Sequence, residues 1–135
     1  MRISNENAVI FVDDDEDDLI IAKSYYQRSA LENNMLMFSS GKEFLEYMDS
    51  VAGGIYPMPA LVLMDINMPE INGFETLENL RTISKFETQP PVIFLTTSDY
   101  EKDQQKAETL QAGFQPKLLG SDYINFLSSL SANDS

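Results

Sequence analysis

Five short apolar runs punctuate the chain: Ala8–Val12, Met35–Phe38, Ala60–Met64, Val92–Leu95 and a weaker one over Phe114–Leu119. Each is too short for a helix, and several are apolar without alternation, the pattern of strands buried on both faces. Between the runs, apolar residues recur at helical spacing. Leu19, Ala22, Tyr26 and Ala30 share one face; so do Phe44, Met48 and Val51, then Phe74, Leu77 and Leu80, then Tyr123, Phe126 and Leu130. Ser40, Asn72 and Ser98 each stand three residues before a glutamate (Glu43, Glu75 and Glu101), the spacing of a capping box, with asparagine the looser match. Gly53, Gly54, Pro57 and Pro59 precede the third run, and Pro90 and Pro91 the fourth, which marks those stretches as loops. Strands alternating with helices predict βαβ units, hence an α/β fold with a doubly wound parallel sheet and helices on both faces.

Length and charge narrow the function. A chain of 135 residues fits one domain spanning 1–135, with short loose tails expected at 1–7 and 131–135. The net charge is −13, with only nine Lys and Arg. That balance speaks against nucleic-acid binding, which needs cations to neutralise phosphates, and against docking on anionic lipid. There is no Cys and no His. Thiolate and imidazole metal sites are therefore excluded, and any metal must be held by oxygen, as Mg²⁺, Mn²⁺ or Ca²⁺ are. No apolar run is long enough to span a membrane and the N-terminus lacks a signal-peptide pattern. A cytoplasmic location is the expectation.

In open parallel sheets, sites form where the strands end. Just past the apolar runs stand Asp13 and Asp14, Ser39, Asp65, Thr96 and Lys117. Three clustered carboxylates repel unless a cation neutralises them, so a divalent metal is predicted. Carboxylates around a metal, with an ammonium and a hydroxyl nearby, form a place to hold a phosphoryl group, and one carboxylate can itself be the nucleophile that forms an acyl phosphate. Asp13 opens a run of six acids that ends at Asp18. Asp15 to Asp18 are accounted for by the positive end of the first helix dipole. Asp13 and Asp14 lie on the strand side of that junction and are not. An EF-hand loop does not fit, because Asp18 stands where its glycine belongs and Ser24 where its last glutamate belongs.

These residues resemble the receiver domain of two-component response regulators. The resemblance rests on V-D-D at 12–14, L-V-L-M-D-I-N-M-P-E-I-N-G-F-E at 61–75, F-L-T-T-S at 94–98 and Lys117. The third-strand segment is the most specific, with Pro69 four residues and Gly73 eight residues after Asp65. What the resemblance implies is a stand-alone, flavodoxin-like receiver with strand order 2-1-3-4-5. It implies that Asp65 accepts the phosphoryl group from a histidine kinase or histidine phosphotransfer protein. Asp14 and Asp65 then ligate Mg²⁺ (or Mn²⁺) together with the backbone carbonyl of Asn67, and Asp13 assists. Thr96 and Lys117 bind the phosphoryl group, Phe114 is the switch aromatic, and the side chains of Asn67 and Ser98 tune the lifetime of the acyl phosphate. The missing histidine agrees with a donor supplied by another protein.

The last segment departs from the family, which usually reads Gly-Ala-x-x-Tyr-x-x-Lys-Pro. Here it reads Ala112-Gly113-Phe114-Gln115-Pro116-Lys117-Leu118, shorter before the lysine and with the proline ahead of it. A short or displaced fifth strand is expected. The bond after Lys117 is not prolyl and resists the cis form by ~3 kcal/mol. The stretch Asp99–Ala112 is sparsely apolar, as a switching element should be. No output domain is expected after the receiver, so an unknown downstream protein would read the signal. Two other readings stand beside this one: a metal-dependent phosphatase of haloacid-dehalogenase type, suggested by Asp13-x-Asp15, and a docking-only receiver-like domain.

Overall fold

Alternation along each strand decides which helices it meets. Val9 and Phe11, Leu61 and Leu63, and Ile93 and Leu95 face one side; Ile10 and Val12, Val62 and Met64, and Val92 and Phe94 face the other. The structure, a computed structural model, describes residues 1–83, 89–97 and 101–132. In chain order its elements are β1 (Val9–Val12), α1 (Glu16–Gln27), β2 (Met35–Phe38), α2 (Gly41–Ala52), β3 (Leu61–Met64), α3 (Gly73–Arg81), β4 (Val92–Thr96), α4 (Glu101–Thr109), β5 (Gly113–Pro116) and α5 (Gly120–Ser129). The strands form one parallel sheet in the order β2-β1-β3-β4-β5, the expected doubly wound arrangement.

Two cores result. On one face Phe44, Met48 and Val51 of α2, Phe74, Leu77 and Leu80 of α3, and Ala107 of α4 cover the sheet. On the other, Leu19, Ala22 and Tyr26 of α1 meet Tyr123 and Leu127 of α5. Each fully buried side chain of this size stabilises the fold by roughly 1.5–3 kcal/mol. Phe74 and Phe94 pack edge to face across the larger core, their ring centres 4.9 Å apart.

The local signals resolve unevenly. Ser40 caps α2, but Glu43 bonds back to Ser39 rather than to the capping residue. Asn72 and Glu75, the looser match by sequence, make the complete box, with both reciprocal hydrogen bonds. The box expected at Ser98 lies outside the described residues. α1 stops at Gln27, where the Arg28 amide bonds the carbonyls of Tyr25 and Tyr26. Ala30 therefore lies beyond the helix and is exposed, and Leu31 takes the buried place.

Within the first seven residues, expected from the sequence as a loose tail, one side chain packs. Ile3 is buried, and its amide donates to the carbonyl of Leu130 at 2.9 Å. The reason is a buried asparagine. Asn33 has amide protons to satisfy, and its Nδ2 donates to the carbonyls of Ser4 at 2.8 Å and Asn7 at 2.9 Å. At the other end Ser131 is buried, and residues 133–135 lie outside the described ones.

Candidate functional site

Ladder hydrogen bonds carry on one residue past the strands and set the site's level. The amide of Asp13 donates to Phe38 at 3.1 Å, that of Asp65 to Val12 at 2.9 Å, and that of Lys117 to Thr96 at 2.8 Å. Val12 pairs with Met64 in register, so the two residues that follow, Asp13 and Asp65, emerge side by side. The sequence suggests a short or displaced β5; instead β5 is four residues long, as β1, β2 and β3 are, and in register with β4, with Thr96 opposite Pro116. That register delivers Lys117 to the same end of the sheet.

Asp13, Asp14 and Asp65 each place a carboxylate oxygen within 4.8 Å of the other two. A hard cation with oxygen ligands at roughly 2.0–2.6 Å spans such a gap, so the donor set and its size fit a divalent ion. Asp14 is exposed, whereas Asp13 is buried and Asp65 half-buried. Asp13 is already engaged on both oxygens, by the Asp15 amide at 3.0 Å and by Lys117 Nζ at 2.9 Å. The Lys117 ammonium also bonds Asp18 at 2.9 Å and stands 3.9 Å from Asp65.

Burial dominates the electrostatics. It pushes the Asp65 carboxyl up to about 6, against the pull of the Lys117 charge and with help from the Asp13 charge. Burial also raises Asp13, partly offset by hydrogen bonds from the Asp15 amide and Lys117. Burial alone would lower the Lys117 ammonium, yet its bonds to Asp18 and Asp13 outweigh that and hold it above its ordinary value. The pocket therefore raises both its acceptor and its cation, as expected where carboxylates crowd one ammonium.

Gly73 explains the glycine eight residues after Asp65. Its amide donates to the Ile66 carbonyl at 2.7 Å, so the start of α3 lies against the backbone that carries Asp65. A Cβ there would collide with the Asp65 carbonyl oxygen.

The remaining sequence candidates are more scattered. Thr96 is fully buried at the end of β4, and a cavity of about 280 Å³ beside Asp65 is lined by Thr97 instead. Asn67 is exposed two residues after Asp65. Phe114 is half-buried and packs on the α2/α3/α4 core. Ser39 bonds Glu43 and takes no part in the acidic cluster. Ser98 lies outside the described residues. Asp18, which the helix dipole seemed to explain, is the residue that sequence reasoning passed over. Its signal was its place four residues before buried Ala22, on the side of α1 that faces the sheet.

No helix among the described residues is long and apolar enough to cross a membrane. The family model for the response regulator receiver domain matches residues 9–119. Among relatives, the "Probable methanogenesis regulatory protein FilR2" of Methanothrix harundinacea is 25% identical over 73% of this chain. The chain spans 63% of that relative's own length. Among solved structures, response regulator RPA3017 in red light signalling of R. palustris is 27% identical, with a TM-score of 0.77 over 92% of this chain and 90% of that one. The Mn²⁺-bound form of response regulator Rcp1 is 20% identical, with a TM-score of 0.76 over 95% and 97% of the two chains. Fold, acidic cluster and family match agree: the chain belongs to the response regulator receiver domain family.

Proposed function

We propose that this receiver takes a phosphoryl group onto Asp65 from a phosphohistidine of a histidine kinase or phosphotransfer protein. The observation that carries the reading is the convergence of three carboxylates and one ammonium at the carboxyl end of the sheet. In the transfer, an Asp65 carboxylate oxygen attacks phosphorus and a P–O bond forms. The P–N bond to the donor imidazole breaks, and the ring nitrogen leaves with the electron pair. Asp14, Asp65 and the Asn67 carbonyl would hold Mg²⁺ or Mn²⁺, which offsets charge on the phosphoryl oxygens. Asp13, with both oxygens occupied, assists from one step further out. Lys117 neutralises a phosphoryl oxygen from the other side, and Thr96 moves to donate its hydroxyl. Phe114 follows Thr96 as the switch aromatic, while Asn67 and Ser98 set how readily water reaches the acyl phosphate. A partner protein then reads the changed β4–α4–β5 surface. The Mn²⁺-bound relative supports the choice of a hard divalent ion.

The family is one of phosphoacceptor signalling domains rather than of enzymes with substrates of their own, which sets the phosphatase reading aside. The test is intact mass after incubation with acetyl phosphate and Mg²⁺. One added phosphoryl group is expected in the wild type, none in Asp65→Asn and none without the metal. A wild type that stays unlabelled with acetyl phosphate and with a phosphohistidine donor overturns the proposal in favour of docking alone.

A further inference from the structure

Among the described residues, Asp18 is the one carboxylate that bonds Lys117 from outside the acidic triad. We infer that Asp18 is a positioning residue: it parks the Lys117 ammonium short of Asp65 and releases it when a phosphoryl group arrives. The inference rests on the phosphoacceptor reading of Asp65 and goes beyond it, because it assigns a role to a residue outside that constellation.

An ammonium has three N–H donors. Two are directed at Asp13 and Asp18, each at 2.9 Å, while Asp65 lies at 3.9 Å, beyond a hydrogen bond. The third N–H can turn toward an oxygen on phosphorylated Asp65, but closing the 3.9 Å gap draws the ammonium away from its two partners and stretches one of those bonds. The two partners are not equivalent. The Asp13 side chain is 11% exposed and the Asp18 side chain 41%. Stripping a donor from a nearly buried carboxylate leaves it under-solvated, which is costly. Asp18 is met by water as soon as the lysine leaves, and a pair this exposed is worth little. Asp18 is therefore the partner that is exchanged.

The surroundings permit this motion and confine it to the side chain. The Lys117 backbone is tied to β4 by its bond to Thr96. The Asp18 backbone is likewise held at the start of α1, its amide bonded to the capping Asp15 side chain at 3.2 Å. A cavity of about 280 Å³ adjoins the pair and is lined by Asp13, Asp18, Asp65, Thr97 and Lys117, so there is open space beside the ammonium.

Parking opposes engagement of the phosphoryl group, so removing the parking partner tightens it. That sign separates the inference from a merely structural role, which would loosen binding when lost. The experiment titrates beryllium trifluoride, a phosphoryl mimic, into the Mg²⁺-loaded full chain at physiological salt, read by amide shifts. Asp18→Asn is expected to bind about two- to fivefold more tightly than wild type. Asp17→Asn is the charge control: Asp17 is exposed on the same turn, and no bond joins it to Lys117. It is expected to match wild type. An Asp18→Asn variant no tighter than Asp17→Asn overturns the inference alone. A wild type that binds no beryllium trifluoride overturns the phosphoacceptor reading and this inference with it.

Discussion

β1 and β3 are buried along their whole length, whereas β5 is half-buried and ends exposed. The interior strands carry Asp13 and Asp65; the edge strand carries Lys117. The helix that leads into that edge is equally thin, since Ala107 is the one buried residue of α4. The contrast teaches a division of labour. Under the proposed function, the carboxylates that would hold one cation are fixed by flanking ladders on both sides, while the lysine that would change partners hangs from an edge strand. β2, the other edge, is half-buried too, but the residue after it, Ser39, has no part in the cluster. Exposure alone does not make a switching edge; it must also end in the site.

The largest test of that contrast compares two truncations. Leu63→Ala, in the buried centre of β3, is expected to cost about 4 kcal/mol, and Phe114→Ala, half-buried on β5, about 2 kcal/mol. Chemical denaturation of both variants measures the difference, and equal losses would erase the distinction between platform and edge.

Next is Gly73→Ala. The added methyl must push α3 off the Asp65 carbonyl, for an expected loss of about 3 kcal/mol. Mg²⁺ affinity should fall in the same variant, because the displaced backbone carries Asp65, a proposed ligand. A variant of normal stability and normal Mg²⁺ binding would show that the close approach is not needed.

Hydrogen exchange probes the edge directly. Amides of α4 are expected to exchange at least tenfold faster than those of α1, given the sparse apolar face of α4. Equal protection would end the view of α4 as a switching element.

The last test is of pH. Burial holds the Asp65 pKa at about 6 instead of 3.8. Between those values the folded, metal-free chain keeps a proton that the unfolded chain has lost. This group's contribution to stability is thus full below 3.8 and is lost as pH rises through about 6. Metal binding has the opposite sign, because Mg²⁺ needs the carboxylate. Its apparent affinity is expected to fall below pH 6, approaching tenfold per unit, as titration calorimetry across that range would show. A flat profile would mean that Asp65 is not in the metal site.

Much of this was legible from one-dimensional patterns. Apolar runs marked the strands, and the residues just past the first and third runs, Asp13 and Asp65, meet in the acidic cluster, because parallel register is a local rule repeated along the sheet. The Pro69 and Gly73 spacing after Asp65 worked for the same reason. What escaped was long-range. Asp18 already had a sufficient local explanation at a helix N-terminus, and its partner lies far along the chain. Ile3 looked like part of a tail because a lone isoleucine has no periodicity; its place is set by Asn33 and Leu130. Asn72 made a better capping box than Ser40 because Glu43 found Ser39 first. Competition between partners, unlike spacing, is not written in the order of residues.

The Ile3 bond to Leu130 makes residue 3 a sensor of the last helix. Residue 3 finds its place only once α5 has docked on α1, since Leu130 lies one residue past the end of α5. A contact between residues so distant in sequence closes a loop of nearly the whole chain, whose entropic cost grows slowly with its length. Asn33 holds Ser4 and Asn7 independently, so lifting α5 from the sheet would release residue 3 and leave the residues after it tied to the loop before β2.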